Sequence, residues 1–368
     1  MMRLARLREM MAQAGLDGLL ITQPENRRYL SGFTGSAGVL IITSEWQAIA
    51  TDFRYHQQVQ TQCPAWNLIE AGYDFEDKML DVLRAMKLGA KSLGFEAGYV
   101  SVDQAERWVR ALKGRIKLVN TTHFVEDMRL SKDEGEVETI RRAAAVSDQA
   151  LCHIYEWLQP GMTEREVAWE LESFMRTHGA SAVSFELLVG SGPNGALPHL
   201  HPTGRAIQAG EPIVMDLGCV VDGYCSDVTR TVCLGEPKDS RYLELWNLAL
   251  KANETTRAGV KAGITGAEGD KLGRDVIEDA GYGKYFGHGL GHGVGLAIHE
   301  GPRFSFAYPD RIPVGAVMTV EPGIYIRKEK LAVRLENTVV VGEKANTDLM
   351  ATIPLEADEI EAAMARRR

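Results

Sequence analysis

Apolar residues in the first third of the chain come in short runs. DGLLIT (17–22), AGVLIIT (37–43) and QAIATDF (47–53) are rich in Leu, Ile and Val and predict strands. DFEDKMLDVLRAMKLGA (74–90) places Met79, Val82, Leu83 and Met86 in helical phase. SLGFEAG then reads as a strand and VDQAERWVRALKG as a helix. The opening MMRLARLREMMAQAGLDG reads as an amphipathic helix with Leu4, Leu7, Met11 and Leu16 on one side. Strand and helix alternate through residues 1–127, which predicts an α/β domain. The charged stretch EDMRLSKDEGEVE (126–138) reads as a linker running into a helix over 134–158, with Ile140, Ala144, Leu151, Ile154 and Leu158 on one face. Thr163 and Glu166 form a capping box for a further helix with Val167, Leu171 and Phe174 behind it. From 183 to about 353, glycine-rich loops and strands are expected to dominate a second domain, 134–368. EADEIEAAMARRR closes the chain as a solvated helix.

The pattern is broken by acids in places where strands should be apolar. VMDLGCVVDGYCSDVTRT (214–231) reads as a hairpin turning at Asp222-Gly223. A two-residue turn places Asp216 opposite Thr229, with Asp227 its diagonal neighbour on the same face, about 7 Å away at the backbone. Arg230 has the opposite parity. Taken alone, the two aspartates fit a metal site or an ion pair equally well. AVMTVEPGIYI (316–326) adds Glu321 at a strand end. LAVRLENTVVV (331–341) adds Glu336 in mid-strand, with Arg334 on the same face. GHGLGHGVGLAIHE (287–300) has five glycines, which disfavour a helix, around His288, His292 and His299. Four acids and at least one imidazole make an oxygen-rich site suited to Mn²⁺, Co²⁺, Fe²⁺ or Zn²⁺. Two ions would balance four carboxylates and acidify a water between them to hydroxide near neutral pH.

Composition narrows the field. The net charge of −9 over 368 residues argues against a nucleic-acid partner held by bulk charge. There is no apolar run long enough for a membrane span, no signal-peptide core and no phosphate-binding glycine fingerprint. Cys63, Cys152, Cys219, Cys225 and Cys233 are odd in number and scattered, which suggests reduced, buried thiols in a cytoplasmic protein. Cys219 and Cys225 lack the spacing of a thiolate metal site.

The order MDLG, CSDVTR, GHGLGHGVGL-x-x-HE, VEPGIY, RLENT resembles the pita-bread metallopeptidases, over most of residues 135–353. This family includes methionine aminopeptidase, Xaa-Pro aminopeptidase (aminopeptidase P) and Xaa-Pro dipeptidase (prolidase). The α/β domain is similar to that of the proline-specific members and creatinase. The resemblance implies a creatinase-like N-terminal domain and an α+β pita-bread catalytic domain. It implies Asp216, Asp227, His292, Glu321 and Glu336 as ligands of two divalent ions, Mn²⁺ first, with Co²⁺ or Zn²⁺ as alternatives. Asp227 and Glu336 would bridge the ions. His299 would contact the scissile carbonyl, and His199 would lie near the substrate. Glu321 would move the proton and Arg334 would brace the site. His288, His201 and Tyr325 would line the substrate pocket. The substrate class implied is peptides with proline second, whose amide nitrogen lacks an N–H. SGFTGSAG and ATDFRY look more like small bacterial Xaa-Pro aminopeptidases than prolidases. The expected activity is release of the residue before proline by a homodimer. Restriction to dipeptides is the alternative. A metal-free creatinase-like hydrolase and a non-catalytic binding module are disfavoured by the filled ligand positions.

Overall fold

A computed structural model describes residues 2–72, 75, 79, 92–197, 200–350 and 352–365. All of the helix expected over 74–90 except Phe75 and Met79, together with His199 and the terminal arginines 366–368, lies outside the described residues. The chain divides into two compact units, 1–129 and 130–368.

The first unit is built on one sheet. Its strands are β1 (Gly18–Ile21), β2 (Val39–Thr43), β3 (Gln47–Thr51), β4 (Asn67–Glu70), β5 (Ser92–Glu96) and β6 (Lys117–Thr121), in the order β4-β3-β2-β1-β5-β6. Only β2 runs against its neighbours. All four residues of β1 are buried, as in a sheet covered on both faces. Leu20, Ile41, Leu93, Phe95 and Trp108 form the core on one side. The strand expected over 47–53 stops at Thr51, because Asp52 accepts from the Arg54 N–H and starts a 3₁₀ turn.

In the second unit, helix Glu134–Trp157 starts at a capping box of Asp133 and Glu136. The capping box of Thr163 and Glu166 opens Glu164–Thr177. The strands are β7 (Ala182–Val183), β8 (Leu188–Ser191), β9 (Pro212–Leu217), β10 (Cys219–Val221), β11 (Tyr224–Cys225), β12 (Val228–Cys233), β13 (Gly291–Gly293), β14 (Glu300–Phe304), β15 (Val317–Val320), β16 (Gly323–Ile326), β17 (Leu331–Arg334), β18 (Asn337–Val341) and β19 (Asn346–Asp348). They form four small sheets, β11-β10-β7, β12-β9-β8, β14-β13-β15-β18-β19 and β16-β17. Asp222 and Gly223 both have positive φ (45° and 76°), as a tight hairpin turn of matching twist requires. Asp216 pairs with Thr229, the register expected from the turn.

Several elements differ from expectation. Two helices, Arg241–Gly259 and Gly266–Asp279, interrupt the region expected to hold loops and strands. The second begins at a capping box, Thr265 and Glu268, whose sequence signal is obscured by glycines 266, 269 and 273. A Cβ at Gly269 would lie 2.4 Å from the Phe304 ring, so close packing requires that glycine. The segment 331–341 is two strands, broken at Leu335-Glu336. The stretch 126–138 crosses the boundary between the two units and runs into helix Glu134–Trp157, as expected of a linker, but it carries structure of its own: Glu126–Arg129 is helical, and the buried Lys132 pairs with Glu300 at 2.8 Å. The terminal helix Ala357–Ala365 buries Ile360 in the core, so it is docked and not solvated all round. Cys63, Cys219, Cys225 and Cys233 are buried thiols, whereas Cys152 is exposed.

Candidate metal centre

The small sheets of the second unit hand the chain to one another at breaks, and the acids sit at those breaks. Asp227 lies between β11 and β12, Glu321 between β15 and β16, and Glu336 between β17 and β18. Asp216 is two residues before the break at Gly218. Where a strand leaves its ladder, its side chains are free to enter the gap between sheets. These four enter the floor of one cavity of about 1330 Å³. One carboxylate oxygen each from Asp216, Asp227 and Glu336 lies within 4.8 Å of the others. His292, on the short β13, adds an imidazole. Its Nε2 is 3.5 Å from Asp227 Oδ2 and 3.5 Å from Glu321 Oε1. The close seating of β13 needs Gly291, where a Cβ would be 2.0 Å from the Thr319 carbonyl oxygen.

Hydrogen bonds fix the protons. His292 Nδ1 is 3.1 Å from the Gly293 carbonyl, which can only accept, so Nδ1 carries the hydrogen and Nε2 presents a lone pair. That lone pair faces two carboxylates, an arrangement of acceptors that calls for a cation between them. Asp216 Oδ1 is buried and has no hydrogen-bond donor among the described residues. Asp216 Oδ2 accepts from Arg334 Nη2. Arg334 also donates through Nε to Thr229 Oγ1 (3.0 Å) and through Nη1 to the Tyr325 hydroxyl (3.1 Å). Thr229 passes its own proton to Glu336 Oε2 at 2.6 Å. His288 Nδ1 donates to the Gly289 carbonyl at 2.7 Å, so its Nε2 accepts from Tyr325 at 3.1 Å. One Asp216 oxygen is thus ion-paired, and the other has no donor among the described residues. Arg230 is not the partner. It is wholly buried on the opposite face and donates to the carbonyls of Thr229 and Glu336.

The electrostatics favour a cation among these acids. Burial raises the pKa of all four carboxyls. Asp227 and Glu336 are pushed well above the carboxylate range by burial and then by the neighbouring acids. Burial lowers all three histidines, favouring neutral rings. Oxygen ligands with one imidazole and no thiolate suit hard or borderline divalent ions. These residues therefore fit such a group.

The other expected residues fall around this floor. The His299 ring is 4.5 Å from that of His292, edge to face, and both line the cavity. His288 lines it too. His201 is largely exposed at the mouth, 3.5 Å from Glu186. Tyr325 is buried, with its hydroxyl spanning Arg334 and His288. Two supports went unread in the sequence. Thr319 donates to Glu321 at 3.2 Å and accepts from the His292 N–H at 3.0 Å. Asp270 accepts from the Leu290 N–H, and its partner Arg274 donates to the His288 carbonyl at 2.7 Å. Thr319 lies within strand β15 and carries no motif. Asp270 lies in a helix that the glycines concealed.

Metallopeptidase family M24 matches residues 138–343, more than half the chain. The chain belongs to this family. Residues 3–131 match the creatinase/prolidase N-terminal domain. An uncharacterized peptidase of Bacillus subtilis, YqhT, is 39% identical over 94% of this chain and 96% of its own. The Xaa-Pro dipeptidase structure from Bacillus anthracis superposes with a TM-score of 0.92 at 37% identity, covering 96% of this chain and 98% of that one. The X-Pro aminopeptidase of Thermotoga maritima gives 0.86 at 36%, covering 93% and 97%. The fold is therefore the creatinase N-terminal domain followed by the pita-bread catalytic domain of the M24 hydrolases. Its relatives include both Xaa-Pro dipeptidases and Xaa-Pro aminopeptidases. Among the described residues no helix is long and apolar enough to cross a membrane.

Proposed function

We propose that this M24 peptidase hydrolyses the bond between an N-terminal residue and a following proline, with two divalent ions held by Asp216, Asp227, His292, Glu321 and Glu336. The observation that carries this is the His292 Nε2 lone pair aimed at Asp227 and Glu321, beside the orphaned Asp216 Oδ1. Divalent ions held there would polarise the peptide carbonyl and lower the pKa of a water molecule. Asp227 and Glu336, crowded by other acids, are the natural shared ligands. Glu321, raised by burial, takes the proton of the attacking water and gives it to the proline nitrogen as that bond breaks. His299, a neutral ring beside His292, donates to the carbonyl oxygen as charge develops there. Arg334 holds Asp216 and Tyr325 in place, and Thr229 orients Glu336. His288 and His201 contribute to the substrate wall. His199 is proposed to act near the substrate on the family resemblance alone.

The chain surrounds a cavity of about 1330 Å³, with room for a dipeptide or a longer peptide, and its likeness to the T. maritima X-Pro aminopeptidase supports the first reading. Its likeness to the B. anthracis dipeptidase favours a second reading, restriction to Xaa-Pro dipeptides. Xaa-Pro dipeptides, Xaa-Pro-Xaa tripeptides and longer peptides should be compared with Mn²⁺ added. Release of only the first residue from the longer peptides is the expected result. Cleavage of dipeptides alone would make the enzyme a prolidase. Metal-bound protein silent on all three would overturn the reading.

A further inference from the structure

Glu164, the first residue of helix Glu164–Thr177, is completely buried and yet belongs to no ion pair in the site described above. Its carboxylate gathers donors from both ends of one loop. Oε1 accepts from the Ser191 N–H and hydroxyl, each at 2.8 Å. Oε2 accepts from the Thr203 N–H at 3.0 Å and hydroxyl at 2.6 Å. Asn194 Nδ2 reaches both oxygens, at 3.2 and 2.9 Å. Burial pushes this carboxyl up, but the bonds from Thr203, Ser191 and Asn194 outweigh it and hold it below its ordinary range. Its place at the start of a helix also favours the negative charge.

Ser191 ends β8, and Thr203 follows twelve residues later. Of the described residues between them, His201 lines the catalytic cavity. Ala196 and Leu200 pack with Tyr325, Val214 and Ala332. Tyr325 in turn contacts Arg334 and His288, and His201 lines the cavity mouth. We propose that Glu164 is a positioning residue for the substrate wall: its carboxylate holds Ser191, Asn194 and Thr203 and so fixes where Ala196, Leu200 and His201 stand beside the catalytic cavity. The substrate half of this proposal rests on the peptidase reading above.

Glu164→Gln tests it, because the amide keeps the shape but turns an NH₂ toward converging donors. Hydrogen exchange by mass spectrometry on the metal-loaded protein reads the loop directly, without activity. Faster exchange confined to 192–202 is expected. KM for an Xaa-Pro tripeptide should rise about 10-fold with kcat within about 3-fold, the split that marks lost ground-state binding. Metal content per chain should stay as in the unmodified enzyme. Unchanged loop exchange would overturn the clamp. Faster exchange with an unchanged KM would overturn its link to substrate, and joint loss of metal and kcat would reduce Glu164 to general scaffolding. If Glu164→Gln does not fold, Thr203→Val removes one donor to Glu164, together with the acceptor of Asn194 and of the Arg205 N–H, and should give the same pattern at smaller size. An unmodified enzyme inactive on every Xaa-Pro peptide would sink the peptidase reading and the substrate half with it. The exchange data would still decide whether Glu164 holds the loop.

Discussion

Two groups of buried carboxylates in the catalytic unit have opposite surroundings. Glu164 is ringed by N–H and O–H donors and stays ionised below its ordinary range. Asp216, Asp227, Glu321 and Glu336 face one another and the lone pair of His292, and all four are raised. A buried charge must be compensated, by hydrogen bonds or by an opposite charge. Donors complete the first group within the chain. The second has Arg334, Thr229 and Thr319, which among the described residues leaves one oxygen of Asp216 without a donor. That arrangement fits bound cations, and the difference separates an acid satisfied within the chain from acids proposed to hold metal, without reference to motif.

The comparison can be broken most sharply at Asp227. Asp227→Ala should lower kcat/KM on Xaa-Pro peptides on the order of 10³-fold or more and weaken metal loading. Kinetics with added Mn²⁺, together with a metal count, would show it, and full activity would remove the bridging role. Chelation of the unmodified enzyme should have the same effect, reversed by Mn²⁺ or Co²⁺. Arg334→Met strips Asp216 of its in-chain cation. Losing one partner of a buried pair costs about 3–5 kcal/mol, so urea unfolding of the metal-free protein should move markedly. An unchanged midpoint would mean that Arg334 compensates nothing. His299→Ala should lower kcat about 10²-fold and leave metal content alone, since it removes a donor to the carbonyl and no proposed ligand.

The smallest effect concerns pH. The site carboxyls are raised by burial and mutual repulsion, and Asp148 is pushed up to about 6 by burial. Raised acids hold protons in the folded state that the unfolded chain releases at about pH 4. Their contribution is complete below that pH and fades as pH climbs through the folded values. The three lowered histidines act in the opposite sense, but only below about pH 6.5, so metal-free protein should melt about 3 °C lower at pH 9 than at pH 7, by calorimetry. Saturating metal should flatten much of that slope, because bound ions keep the four acids ionised. A melting temperature of the metal-free protein that does not fall with pH would contradict the raised values.

The alternation of strands and helices in the first unit, the Asp222-Gly223 turn and the pairing of Asp216 with Thr229 were legible in the sequence, because they depend on local periodicity and turn chemistry. So were the chemical types gathered in the site, since acids inside apolar runs and histidines among glycines stand out against any background pattern. Helix Gly266–Asp279 was not legible, because glycines that packing demands, such as Gly269 against Phe304, look like loop. The terminal helix looked solvated because burial of Ile360 depends on partners distant in sequence. The sequence by itself determined which residues could bind a cation and the register that aligns the first two. Only the tertiary structure decided that Asp227, Glu321 and Glu336 stand where the chain steps from one sheet to another. Those steps are set by long-range strand pairing, and there a side chain can leave its ladder and meet acids more than a hundred residues away.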